Sequence, residues 1–219
     1  MRTLCHIASV TLVLGMLAFA NSESAPIHKS VAIQPYTGIP ASHVNEVKVA
    51  LERYYKCPVR VLPEIALPAA AFTEVKTPRY RAEKLLEHLH SVLPAGCDCV
   101  LGLTASDIST TKYEGDETTL TIKKPEWKYA DWGIFGLGEM PGTACVVSTF
   151  RLKNGVSEGK FRERLRKVAC HELGHNLGLP HCADSDRCFM RDGAETIATV
   201  DAEAEVLCES CARSLRLPE

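Results

Sequence analysis

The segment from His171 to His181, His-Glu-Leu-Gly-His-Asn-Leu-Gly-Leu-Pro-His, places three imidazoles and a carboxylate at spacings that suit a metal ion. His171 and His175 stand four residues apart, so on a helix they share a face and can offer two nitrogens to one Zn²⁺. Glu172 lies one step round, within reach of a water held by that metal without being forced to bind it. Gly178 lets the backbone leave the helix sharply, Pro180 discourages further helix, and His181 can then return as a third ligand. Three protein ligands leave a fourth tetrahedral position for water, whose pKa on zinc falls from about 15.7 toward about 7. The chemistry implied is hydrolysis by an activated water, with Glu172 as general base. A bare H-E-x-x-H motif arises by accident; the added glycine and third histidine at fixed offsets make this one far more specific.

Four cysteines extend the motif: Cys182 directly after the third histidine, Cys188 in Cys-Phe-Met190, then, after a seventeen-residue spacer, the Cys208-Glu-Ser-Cys211 pair. With these the chain resembles the archaemetzincins, a branch of the metzincin zinc peptidases. The likeness is tight from residue 171 to 211 and looser upstream, at residues 135–137 and 146–152. It implies that His171, His175 and His181 bind the catalytic zinc, that Glu172 is the general base, and that Met190 is the Met-turn residue beneath the histidines. It makes Cys182, Cys188, Cys208 and Cys211 the ligands of a second, structural zinc. It also implies an α/β (α+β) fold: a twisted mixed β-sheet with packing helices, a zinc-binding active-site helix, a Met-turn and a C-terminal helix. Its substrate would be a peptide or protein. The chain departs from the family pattern in two places. Five residues separate Cys182 from Cys188 where four are usual, and Arg191-Asp192-Gly193 follows the methionine where an asparagine-led continuation is expected.

The amino terminus is a third departure, since archaemetzincins are typically intracellular. Arg2 is followed by an apolar run over residues 7–20 and a polar stretch over 21–24, the layout of a secretory signal peptide with cleavage expected after Ala20. A run of fourteen residues falls short of the roughly 20 a membrane-spanning helix needs. The expected organisation is therefore a signal peptide at 1–20, a short segment at 21–29, and a single catalytic domain at 30–219, exported to a secreted or periplasmic location. In an oxidising compartment the four motif cysteines can instead form two disulfides, and metal analysis decides between the two states. Of the ten cysteines, Cys57, Cys97, Cys99, Cys145 and Cys170 lie outside both the motif and the signal. Cys57 and Cys97 each precede an expected strand, which brings their chain ends near one another without fixing a pairing. Cys170 points about 100° away from His171 on the helix and reads as a small core residue.

The elements that must position this chemistry are legible in outline. The chain has 219 residues, 46% hydrophobic and 24% charged, with a net charge of −2, which fits one globular domain and gives no general electrostatic grip on nucleic acid or an acidic membrane. A strand at 31–34 leads to a helix at 41–55 with Val44, Val47, Leu51 and Tyr55 on one face. A strand at 59–62, a helix at 80–93 and an apolar strand at 99–104, buried on both faces of a partly parallel sheet, follow. His88 and His90 read as solvated. Residues 109–131 read as a surface excursion with a strand at 118–123. Strands at 133–137 and 144–148 are separated by a Gly/Pro turn and form an antiparallel edge, against which an extended peptide would align around 144–148. Ser157 is the expected N-cap of the metal-binding helix, over 158–177. The competing class is a zinc-binding scaffold or extracellular binding protein that hydrolyses nothing. Glu172 counts against it, because a structural site has no need of that carboxylate.

Overall fold

A computed structural model of the chain describes residues 29–115, 118–191 and 196–217. The expected signal peptide at 1–20 and all but the last residue of the 21–29 segment lie outside these residues, as do Asp192 and Gly193. Among the described residues no helix is long and apolar enough to cross a membrane.

Strand β1 (Val31–Pro35) enters helix α1 (Ala41–Tyr55), followed by β2 (Val59–Val61), a 3-10 turn at Ala69–Ala71, β3 (Phe72–Thr73) and β4 (Arg79–Arg81). Helix α2 (Ala82–Val92) returns the chain to β5 (Cys99–Thr104) and β6 (Ile108–Thr110). The excursion holds β7 (Tyr113–Glu114), β8 (Thr121–Ile122) and α3 (Glu126–Tyr129), before β9 (Trp132–Ile134), β10 (Gly136–Gly138) and β11 (Ala144–Ser148). Helix α4 (Glu158–Asn176), α5 (Ile197–Ala202) and α6 (Glu209–Ser214) complete the chain.

The main sheet has the order β10-β11-β5-β1-β2, parallel except for the antiparallel β10. Its strands alternate with period two between opposite cores. Val31, Ile33, Leu101, Leu103, Cys145 and Val147 face α1 and α4, whereas Ala32, Val100, Ala144 and Val146 face α2. Gly102 belongs to the second face because a Cβ there would lie 2.9 Å from Leu89 Cδ1 and 3.1 Å from Tyr36.

Several expectations change. The single strand at 133–137 is two: β9 belongs to a second sheet of order β3-β4-β6-β9, and only β10 joins the main one. The sheet edge is β10, with β11 lying inside between β10 and β5. Cys57 and Cys97 lead into β2 and β5, which flank β1 from opposite sides, and the Cys97 thiol accepts instead from Arg60 at 3.4 Å. Neither α2 histidine is simply solvated: Tyr36 Oη lies 3.0 Å from His88 Nδ1, and His90 Nε2 lies 2.8 Å from Glu139. Cys170 is fully buried in the core, as expected.

Candidate active site

Helix α4 starts where Ser157 Oγ accepts from the Lys160 amide at 3.4 Å, capping one of the orphan donors of the first turn. It ends in a Schellman motif: Gly178 N–H donates to His175 O and Leu179 N–H to Gly174 O, each at 2.9 Å, with Gly178 at φ +96°. That left-handed glycine turns the chain back over the last helical turn.

The turn also orients the site. His175 Nδ1 lies 2.8 Å from Leu179 O, inside the motif, and His171 Nδ1 lies 2.7 Å from Phe189 O, just before Met190. A carbonyl only accepts, so both Nδ1 atoms carry hydrogen and both Nε2 atoms present lone pairs. Those two Nε2 atoms face each other at 3.0 Å. Bare lone pairs at that distance repel; a cation between them removes the conflict. The spacing is close to the edge of about 3.4 Å expected for two nitrogens on tetrahedral zinc at about 2.0–2.1 Å. The exposed His181 completes the group, its ring centroid 5.4 Å from that of His171 and 5.0 Å from that of His175. One nitrogen from each of the three lies within 4.8 Å of the others. Burial pushes the His171 imidazole down to about 4 and lowers His175 too, keeping both neutral and ready to ligate.

Glu172 projects into the same cleft, which has a volume of about 240 Å³. Burial pushes its carboxyl up to about 8, against a hydrogen bond from the Gly138 backbone. A cation on the histidines would pull it down again. Two glycines of β10 make room for it: a Cβ at Gly136 would lie 2.6 Å from Glu172 Cγ and Oε1, and one at Gly138 would lie 2.5 Å from the Glu172 carbonyl oxygen. Beneath the helix the buried Met190 reaches Gly174, where an added Cβ would lie 2.5 Å from Met190 Sδ.

Cys182, Cys188, Cys208 and Cys211 also converge, with all four sulfurs within 4.8 Å of one another. The Cys182–Cys208 and Cys188–Cys211 separations are 3.6 and 3.9 Å, bracketing the edge of about 3.8 Å of a zinc tetrathiolate with bonds of about 2.3 Å. The extra residue between Cys182 and Cys188 is absorbed in a largely exposed loop. Cys182 N–H donates to Met190 O at 2.7 Å, joining the cysteine cluster to the Met-turn.

A profile of "Peptidase family M54" matches residues 39–217. The chain belongs to peptidase family M54. An archaemetzincin of Halobacterium salinarum is 33% identical to this M54 chain over 193 residues, 84% of it and 98% of the relative. The crystal structure of an archaemetzincin from Methanopyrus kandleri matches with a TM-score of 0.66 at 28% identity, covering 86% of this chain and 94% of that one. That of Archaeoglobus fulgidus, a complex with malonate, matches with a TM-score of 0.63 at 26% identity, covering 84% and 98%. The archaemetzincin likeness read from the motif is thereby confirmed, together with the mixed α/β fold. As an M54 member the chain is a zinc metallopeptidase acting on peptides or proteins. Of the residues singled out in the sequence, the three histidines and Glu172 line the cleft, the four cysteines form the second cluster, and Met190 packs against Gly174 of α4. Motif reading missed other residues of the cleft: Gly136 and Gly138, which seat Glu172, and Thr110, Lys112, Trp132 and Ile134, which line it too. The Gly-Leu-Gly of β10 was a usable signal; Lys112 and Trp132 carried none.

Proposed function

We propose that this metallopeptidase uses His171, His175 and His181 to hold its catalytic zinc and Glu172 as the general base of peptide hydrolysis. The observation that supports this most directly is the pair of Nε2 lone pairs facing at 3.0 Å beside a buried carboxylate. Zinc held there supplies a Lewis acid that polarises the scissile carbonyl and acidifies a water. Glu172, seated against β10, takes a proton from the attacking water at a carboxylate oxygen and delivers it to the leaving amine. The β10 edge of the main sheet can hold an extended peptide by main-chain hydrogen bonds other than through the Gly138 N–H, from which Glu172 already accepts. The chain's second proposed metal is a structural zinc on Cys182, Cys188, Cys208 and Cys211, supported by the sulfur spacings. The apolar run at 7–20 supports export of the mature protein after cleavage at Ala20.

The test pairs zinc stoichiometry with peptide turnover in the wild type and in Glu172→Gln. Two zinc ions per chain are expected in both, with turnover lowered at least about a hundredfold in the variant. Equal turnover would remove Glu172 from the mechanism. One ion per chain with no titratable thiol at the four cysteines would assign them to disulfides. Mass analysis of the protein from its own host, starting at Met1 instead of Asn21, would refute the export reading.

A further inference from the structure

The residue after His175 is an open position of the zinc motif, yet Asn176 is almost wholly buried, with 1% of its surface exposed. Asparagine is a poor helix residue, and neither propensity nor apolar burial explains one turned inward at the end of α4. Its side chain is spent on the hairpin between β10 and β11. Asn176 Nδ2 donates to Glu139 O at 3.0 Å and to Ala144 O at 2.8 Å, the carbonyls on the two sides of the turn. An amide nitrogen has two hydrogens, and both are used. A flipped amide would set Oδ1 against the same two carbonyls, so the orientation is fixed; Oδ1 itself has no donor among the described residues. The main chain adds a third link. Asn176 O, one of the carbonyls that a helix end leaves without an intrahelical donor, accepts from Gly142 N–H at 3.3 Å.

The hairpin turn has supports of its own. Glu139 Oε2 accepts from the Thr143 and Ala144 amides at 3.1 and 3.2 Å, Glu139 Oε1 faces His90 Nε2 of α2 at 2.8 Å, and Thr143 O accepts from the Val100 amide of β5 at 2.8 Å. Deleting the Asn176 amide therefore leaves the turn formed and its ties to α2 and β5 intact. What it removes is the tie to α4. Strand β10 is paired on one side only, with β11, and it is the strand that seats Glu172. Asn176 fastens the end of that strand to the helix position directly after His175.

Resting on the peptidase reading above, we propose that Asn176 is a positioning residue for peptide hydrolysis: it fixes the substrate-holding strand β10 against helix α4, so that a peptide aligned on the strand arrives in register with the groups on the helix that act on it. Reaction needs the reacting atoms within about 3–3.5 Å of one another, and a displacement of about 1 Å costs up to about a hundredfold in rate. Strand and helix carry the two halves of that geometry. The peptide lies on one, while His171, His175 and Glu172 project from the other. The tie between them governs turnover more than affinity, because the edge that the peptide pairs with keeps its own shape when the tie is cut.

The test compares zinc-loaded wild type with Asn176→Leu, which fills the same space and loses the donors, and with Asn176→Asp, which keeps the shape and turns acceptors toward two carbonyls. Asn176→Ala takes the place of the leucine variant if that one does not fold. Turnover of a peptide extending several residues to either side of the cleaved bond is normalised to bound zinc. In the leucine variant kcat should fall about tenfold, and further in the aspartate variant, with KM within about twofold of the wild type. The calorimetric affinity of the same peptide for Glu172→Gln should stay within about twofold when Asn176→Leu is added. Hydrogen exchange, which needs no cleavage, should speed up in the variants at the amides of residues 138–144 and not along α4. A wild-type kcat in folded Asn176→Leu overturns the proposal. So does a rise in KM with kcat intact, or a loss of turnover that vanishes on normalising to zinc. Faster hairpin exchange in the variants with no peptide cleaved by the wild type would keep the tie and defeat the assigned catalytic machinery.

Discussion

At the scale of single residues, the seating of Glu172 depends on what is missing from β10. Gly136 and Gly138 both press on the same residue, but on different parts of it: one on the flexible carboxylate end, the other on the helix backbone. Their alanine variants should therefore fail differently. Gly136→Ala should displace the carboxylate and cut kcat more than about tenfold while zinc content and melting temperature stay close to wild type. Gly138→Ala must push β10 away from α4 and should lower stability by about 1–3 kcal/mol, read by urea unfolding. Equal stability loss in both would show that the strand, and not the Glu172 side chain, takes up the Gly136 clash. The metal-binding residues were legible because their spacing is local and set by helix geometry. The glycines that accommodate Glu172 left only the Gly-Leu-Gly pattern as a signal and not its purpose, because what each glycine makes room for lies more than thirty residues away.

At the scale of elements, α4 does two jobs along its length. Its first half is tied to its surroundings by ion pairs: Arg164 to Asp201 at 2.6 Å, and Arg166 to Glu46 and Glu205 at 2.5 and 2.6 Å. Its second half is buried among apolar side chains and carries the chemistry. Gly174 is the closest approach, with Met190 below and Tyr55 Oη 2.8 Å from where a Cβ would be; Tyr55 itself donates to Cys170 O at 2.5 Å. Gly174→Ala should cost about 1–3 kcal/mol despite alanine's better helix propensity, a result visible in a thermal melt. An unchanged or raised melting temperature would show that Met190 yields freely. Helices α1 and α4 were readable almost to the residue, since periodic apolar faces and a serine cap mark them locally. The second sheet was not: its strands are two or three residues long, too short to show alternation, and their partners are distant in sequence. For the same reason β9 and β10 read as one strand, and the true edge of the main sheet was assigned to β11.

At the scale of the whole molecule, the carboxyl-terminal segment is fastened to α4 by charge. The Arg164 guanidinium beside Asp201 holds that carboxyl down at about 2, below its ordinary value of 3.8, and Arg164 also donates to Leu152 O at 3.0 Å. Because the folded value is the lower one, this pair stabilises the fold above about pH 4 and its contribution fades as pH falls toward about 2. Asp201→Asn should cost about 1–3 kcal/mol at pH 7 and much less at pH 2.5, measured by urea unfolding at both; a cost independent of pH would exclude the charge as its source. The same segment supplies Cys208 and Cys211, while Cys182 directly follows His181 and hydrogen-bonds to Met190 O. Two candidate ion sites are therefore stitched through consecutive links of one short loop. Filling either would organise part of the other in advance, so loading should be cooperative: with limiting zinc, native mass spectrometry should find molecules holding two ions or none, and few holding one.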